Sequence, residues 1–142
     1  MIGSVISYRM GDVIAIQVRM ANDMSTPSDL GKAVTMAGDF ATNGRDAIGI
    51  LLQNVSSGQV ATVGVHGILP YFVRNVVSAG YALTITGTGE VIAAAAETVI
   101  VGQHLGQQNT DNANTSSGQL ANGFFNFATG PFLNADSAGP LV

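Results

Sequence analysis

Cysteine and tryptophan are absent from the 142 residues, and charge is scarce. With no thiol there is no disulfide, no thiolate nucleophile and no cysteine-based zinc site. Charged residues make up 10% of the chain, where about 25% is usual for a soluble domain. Five Lys and Arg stand against nine Asp and Glu, a net charge of −4. No basic footprint exists, so nucleic acid is not an expected partner. A free surface this poor in charge would be poorly soluble when concentrated. The simplest resolution is that other subunits or a partner cover much of it. Mean hydropathy is positive, yet no apolar run approaches the ~20 residues of a spanning helix. The first residues, Met-Ile-Gly-Ser-Val-Ile-Ser-Tyr-Arg, lack a basic stretch followed by an apolar one. No secretory signal and no membrane contact are expected, and synthesis in a cytoplasm is.

What is there is glycine, 18 residues of it, between short runs of Val, Ile, Ala and Thr. That rhythm predicts many short strands joined by tight turns. Candidate strands are residues 12–18, 33–36, 47–54, 59–65, 68–73, 81–86, 90–95, 98–105 and 124–128, with a possible arm strand at 5–9. Asn43-Gly44 and Gly87-Thr88-Gly89 mark turns. Pro70 predicts an edge or a bulge. Residues 91–97, with their four alanines, fit a helical turn or a strand. No stretch sustains helical apolar spacing with caps. The expectation is one all-β domain, a small β-barrel or β-sandwich, at residues 11–133. An extended N-terminal arm at 1–10 and a C-terminal tail at 134–142 flank it. Residues 107–119 read as a long polar loop.

Chemistry-bearing patterns are few. His66 and His104 are the only histidines, so no paired metal motif exists. His66, inside an apolar strand, is expected to be a hydrogen-bonded structural histidine. Gly31-Lys32 lacks the rest of a phosphate-binding loop. Asn54 and Asn114 begin glycosylation patterns that carry no meaning without secretion. The stretch Ser78-Ala-Gly-Tyr-Ala-Leu83 resembles the first motif of trimeric dUTP pyrophosphatases. The aspartate which follows Tyr in that family is replaced here by Ala82, and no later motif of the family is present. No enzyme activity, catalytic residue, metal or cofactor is expected.

Two segments suit contact rather than chemistry. In the arm, Ile6, Tyr8 and Met10 share one face of an extended segment, with Val5, Ser7 and Arg9 on the other. Val5, Ile6, Tyr8, Arg9 and Met10 are candidates for adding a strand to a partner's sheet. The alternative is an ordinary first strand of the domain's own sheet. Near the C-terminus, alternation is read as setting Phe125 opposite Phe124 and Phe127. A strand apolar on both faces is buried on both, which makes these three phenylalanines a candidate subunit interface. The same reading applies to Ile48-Gly-Ile-Leu-Leu52.

The order of elements resembles that of a known family. It runs from Gly11-Asp-Val through Gly31-Lys-Ala-Val34, Ala47-Ile-Gly-Ile50 and Val65-His-Gly-Ile-Leu69. It continues with Ala79-Gly-Tyr-Ala-Leu-Thr84, Thr86-Gly-Thr-Gly-Glu-Val-Ile92 and Val101-Gly-Gln-His-Leu-Gly106, and closes on an aromatic strand. This pattern is similar to bacteriophage capsid decoration proteins, also called cement or head-stabilisation proteins. The resemblance implies a structural virion protein on the outer capsid surface. It would clamp neighbouring major capsid protein subunits, as a homotrimer or a dimer. Alternatives are a phage tail or baseplate module and a carbohydrate-binding sandwich, the latter weakened by the absence of Trp.

Overall fold

The computed structural model describes residues 13–75, 77, 78, 80–95, 98–107, 118–127, 132 and 133. Ten strands succeed one another: β1 (Ile14–Arg19), β2 (Ala33–Val34), β3 (Gly49–Leu51), β4 (Val60–Phe72), β5 (Ala82–Thr86), β6 (Glu90–Ala93), β7 (Val99–Ile100), β8 (Gly102–Gln107), β9 (Leu120–Asn126) and β10 (Phe132–Leu133). The only helical element among the described residues is a 3-10 turn at Pro27–Asp29. The fold is all-β, and its main sheet curls into a nearly closed barrel. The expected arm, the 134–142 tail and most of the 107–119 loop lie outside the described residues.

The long strand β4 organises the sheet, which runs β2-β3-β4-β9-β8-β5-β6, with β1 also on β4. All ladders are antiparallel. The first half of β4 pairs β1, from Arg19 opposite Val60 to Ile14 opposite His66. Its second half pairs β9, from His66 opposite Asn126 to Phe72 opposite Leu120. Near the seam, the Ala33 amide donates to the Gly89 carbonyl at 2.8 Å, and the Gly89 amide to Ala41 at 2.7 Å. A parallel bridge joins Val73 to Val91. These contacts bring the β5–β6 hairpin back to β2 and the end of β4.

β4 corrects an expectation of two strands divided near Gly67. Gly67 stays in the ladder opposite Phe125 with φ at 116°, a conformation that glycine alone adopts cheaply. Pro70 is tolerated because of where its nitrogen points. Phe72 donates to Gly31, away from β9, while Val73 donates to Gln119 on the β9 side. Position 70, two residues before Phe72, faces away from β9 as well, where β3 pairs only Val63 and Gly64. No ladder bond is lost there. The expected strand at 98–105 is in fact two. β7 pairs β10, and after Val101 the chain joins the main sheet as β8.

Two cores result. The barrel interior holds Ile50, Leu69, Tyr71, Leu83, Ile85, Val91, Ala121 and Phe125. A second cluster, on the other side of β3 and β4, joins Val18, Met20, Met24, Val34, Leu51, Val55, Ala61 and Val63. β3 is therefore buried on both faces by its own chain: Ile50 enters one core and Leu51 the other. No subunit interface is needed to cover Ile48–Leu52, contrary to expectation.

Candidate functional site

The buried polar groups of the described chain are Asp29, Thr84 and His104, and each has a structural partner. The Asp29 carboxylate accepts the Thr26 amide at 3.2 Å and lies 3.6 Å from the Lys32 ammonium. The Thr84 hydroxyl donates to the Val99 carbonyl, tying β5 to β7. His104 Nδ1 meets the Tyr71 hydroxyl at 2.6 Å, and both rings are sealed in the interior. Burial pushes the Tyr71 phenol well above its ordinary pKa. This pair braces β4 against β8 and is closed to any substrate. Among the described residues no group of three or more acidic or histidine side chains could hold a metal ion.

The surface is more informative. Three of the exposed large hydrophobic residues, Ile68 (38%), Phe124 (42%) and Leu105 (48%), lie on adjacent strands β4, β9 and β8. Ile68 is opposite Phe124 and Phe124 is opposite Gln103, while Leu105 falls at the register shift of β8 between His104 and Gly106. Pleating turns them outward because Phe125, the next residue in β9, points into the barrel. Next to this row the His66 ring meets Phe124 edge-on, with centroids 5.5 Å apart. Asn126 stands opposite His66. His66 Nδ1 and Asn126 Oδ1 are both shielded from solvent and have no hydrogen-bond partner. An open, mainly apolar concavity of about 320 Å3 adjoins, lined by Ala82, Ile100, Gly102, Gln103, Phe124 and Asn126 among others.

This face carries no formal charge, since β8 and β9 contain no Asp, Glu, Lys or Arg. From Thr98 to Val142 the sequence holds only Asp111 and Asp136. The described charges cluster instead between Arg19 and Asp46, with Arg74 and Glu90 paired to one another. Contiguous exposed apolar surface without charge is unusual on a free monomer and marks contact surfaces.

The structure divides the expected phenylalanine interface. Phe124 is on the outer face, but Phe125 is fully buried in the barrel and Phe127 is half-buried on top of it. The Phe125 and Phe127 rings stack, 5.7 Å apart at 9°. Period-two geometry puts residues 125 and 127 on the same face, so the expected pairing of Phe127 with Phe124 was a miscount. Of the three, only Phe124 is exposed. The candidate arm residues Val5, Ile6, Tyr8, Arg9 and Met10 lie outside the described residues. The hydrogen-bonded core role expected of His66 belongs to His104, while His66 lies at the face with Nδ1 unpartnered. Sequence reasoning missed Ile68, Gln103 and Leu105. Gln103 and Leu105 flank a buried histidine in alternation, which is a readable signal for one face of β8. That this face continues onto β4 depends on long-range pairing that no local signal carries.

No protein-family model matches the chain, and no curated protein matches it.

Proposed function

We propose that this chain is a non-catalytic structural protein of the virion that docks on the outer surface of a phage capsid and ties neighbouring major capsid protein subunits together. It acts as a homotrimer. The observation that carries the reading is the uncharged outer face of β4, β9 and β8, with Ile68, Phe124 and Gln103 in register beside an apolar concavity. Burying such a face removes apolar area from water at roughly 25 cal/mol per Å2, and it displaces no charge. The sequence-wide poverty of charge and the resemblance to decoration proteins support the same reading. Many identical sites on one lattice also let a modest single-site affinity suffice, through avidity.

Co-sedimentation with expanded capsids that lack the protein tests this. Saturable binding at a fixed ratio to the major capsid protein is expected, and the ratio reports the symmetry site. Phe124→Asp, at an exposed position, is expected to abolish binding with the circular dichroism spectrum unchanged. Absence of binding by folded wild-type protein would overturn the proposal.

A further inference from the structure

β1 is an edge strand with an open side. It pairs β4 along one edge, and on the other no described strand pairs it; there only Gly38 approaches, against the Arg19 carbonyl at the C-terminal end, which leaves Ile14–Val18 open. The main chain of Met20, just past β1, bonds to Gly58 and Gln59 on the β4 side. Even-numbered β1 residues therefore direct their amides and carbonyls to β4, and Ala15 and Gln17 direct theirs outward. On the apolar face, Val18 is buried, Ile16 half-buried and Ile14 52% exposed. The second core is thus unfinished on this side. An open edge of this kind is a template for another strand.

The chain contains a segment that matches the strand already seated there. Residues 5–10 read Val-Ile-Ser-Tyr-Arg-Met, and residues 15–20 read Ala-Ile-Gln-Val-Arg-Met. At an offset of ten, Ile6 repeats Ile16, Arg9 repeats Arg19 and Met10 repeats Met20, while Tyr8 stands where Val18 does. In β1 these positions serve the second core: Ile16, Val18 and Met20 pack into it, and Arg19 Nη1 donates to the Gly58 carbonyl at 2.6 Å.

We propose that residues 6–10 of one copy add as an antiparallel strand to the open edge of β1 in a second copy, extending its second core. The register that matches the apolar faces sets Met10 opposite Ile14, Tyr8 opposite Ile16 and Ile6 opposite Val18. Arg9 and Ser7 then form the hydrogen-bonded pairs with the outward main chain of Ala15 and Gln17. Antiparallel pairing keeps Arg9 and Arg19 at opposite ends, where a parallel in-register strand would set them side by side.

A second copy fits better than the chain's own arm. Within one chain this register leaves only Gly11-Asp12-Val13 as the connection, yet Val13 is anchored against the barrel core. A two-residue turn at Gly11-Asp12 would set Met10 opposite Val13. That one-residue slip turns Ile6, Tyr8 and Met10 to the exposed face of Ala15 and Gln17. An arm from another copy meets neither obstacle. The inference rests on the proposed assembling role and assigns the arm to a neighbouring subunit instead of the shell.

The native chain has no cysteine, so engineered thiols can pair only with each other. Met10 and Ile14 would form a non-hydrogen-bonded pair, with Cα atoms about 4.5 Å apart, within disulfide reach. Full-length Met10→Cys protein and Ile14→Cys protein are purified separately, mixed without capsids and mildly oxidised. Covalent heterodimers are expected, well in excess of those from Met10→Cys mixed with Gln17→Cys, whose thiols face opposite sides. Deleting residues 1–10 is expected to lower the light-scattering mass to that of one chain. Heterodimer yields no greater than the control would overturn the proposal. So would a Met10→Cys/Ile14→Cys double variant that closes its disulfide only within single chains, or an unchanged mass on deletion. These results leave shell docking through Phe124 untouched, and capsid co-sedimentation leaves the cross-link untouched, so the two readings fail separately.

Discussion

Phe124 and Phe125 are neighbours in sequence, identical in chemistry and opposite in environment, so truncating each to alanine tests the fold directly. Phe125 is fully buried. Its ring stands edge-on to Tyr71 at 5.7 Å and stacked on Phe127 at 5.7 Å. It also lies over two glycines: a Cβ at Gly102 would come within 2.6 Å of the ring, and one at Gly123 within 2.7 Å. The ring occupies space that two absent side chains leave, and glycine has nothing to relax into the hole. The cost of Phe125→Ala should therefore fall in the upper part of the usual ~3–5 kcal/mol for buried Phe→Ala changes. Aromatic geometry adds to this, about 0.5–1.5 kcal/mol per pair. Against a total stability of roughly 5–15 kcal/mol, the loss is severe, a fall in Tm of roughly 10–15 °C for a chain of this length. Phe124→Ala removes a ring that is 42% exposed and touches chiefly His66, and should cost under about 1 kcal/mol. Urea titration followed by circular dichroism, with thermal scans, measures both. Equal losses at the two positions, or a Phe125 loss below about 1 kcal/mol, would refute the assignment of faces in β9.

Tyr71→Phe leaves His104 Nδ1 without its 2.6 Å partner and is expected to cost about 1–3 kcal/mol by urea titration. The buried Tyr71 phenol has a raised pKa in the folded state, so its stabilising contribution is complete below the unfolded value of about 10 and declines as pH rises beyond it. The unfolding free energy from urea titrations between pH 8 and 11 should fall with a slope of up to about 1.4 kcal/mol per pH unit above pH 10, and Tyr71→Phe should lose that component. Gly89→Ala strikes the barrel seam. Its φ is 80°, and the added Cβ would stand 2.4 Å from the Ala33 carbonyl oxygen. Backbone strain of about 1–3 kcal/mol is the minimum expected, read as a lowered thermal midpoint.

Fold class was legible because alternating Val, Ile and Thr between glycines signals strands regardless of how they pair. Turn chemistry was legible where it is local: Gly87 and Gly89 both adopt positive φ, and β5 and β6 close on them with Thr86 opposite Glu90. β4 was legible least. Ala61 and Val63 face the second core, while Leu69 and Tyr71 face the barrel interior. All four have odd numbers, so strict alternation would put them on one face. The ladder shows why it does not. Ile14 is opposite His66 and Ala15 is opposite Gly64, which leaves Val65 as an extra residue in β4. That bulge exchanges the two faces midway along the strand. Its position depends on where β1 ends and β9 begins, and no property of residues 60–72 alone reveals it. The same bulge explains the failure to place His66, Ile68 and Phe124 on one surface.

The bulge also accounts for the uncovered face. Before it, the outward side of β4 is roofed by Met20 and Met24, drawn from the segment that also carries most of the described charge, with Leu51 of β3 packed beside them. After it, the outward side carries His66 and Ile68, next to Phe124 of β9. β1 pairs no further along β4 than His66, and no described segment roofs the strand beyond that point, as the exposure of Ile68, Phe124 and Leu105 shows. Charge is thereby concentrated on the side of residues 19–46, where Met36 is also exposed, and the side of β4, β9 and β8 carries none. A chain selected only to fold and remain dispersed gains nothing from that separation, since a few charges on β8 or β9 would cost no core contact. The polarity is explained if the bare side is meant to be covered, and Phe124→Asp tests that by adding one charge where the barrel core is not touched.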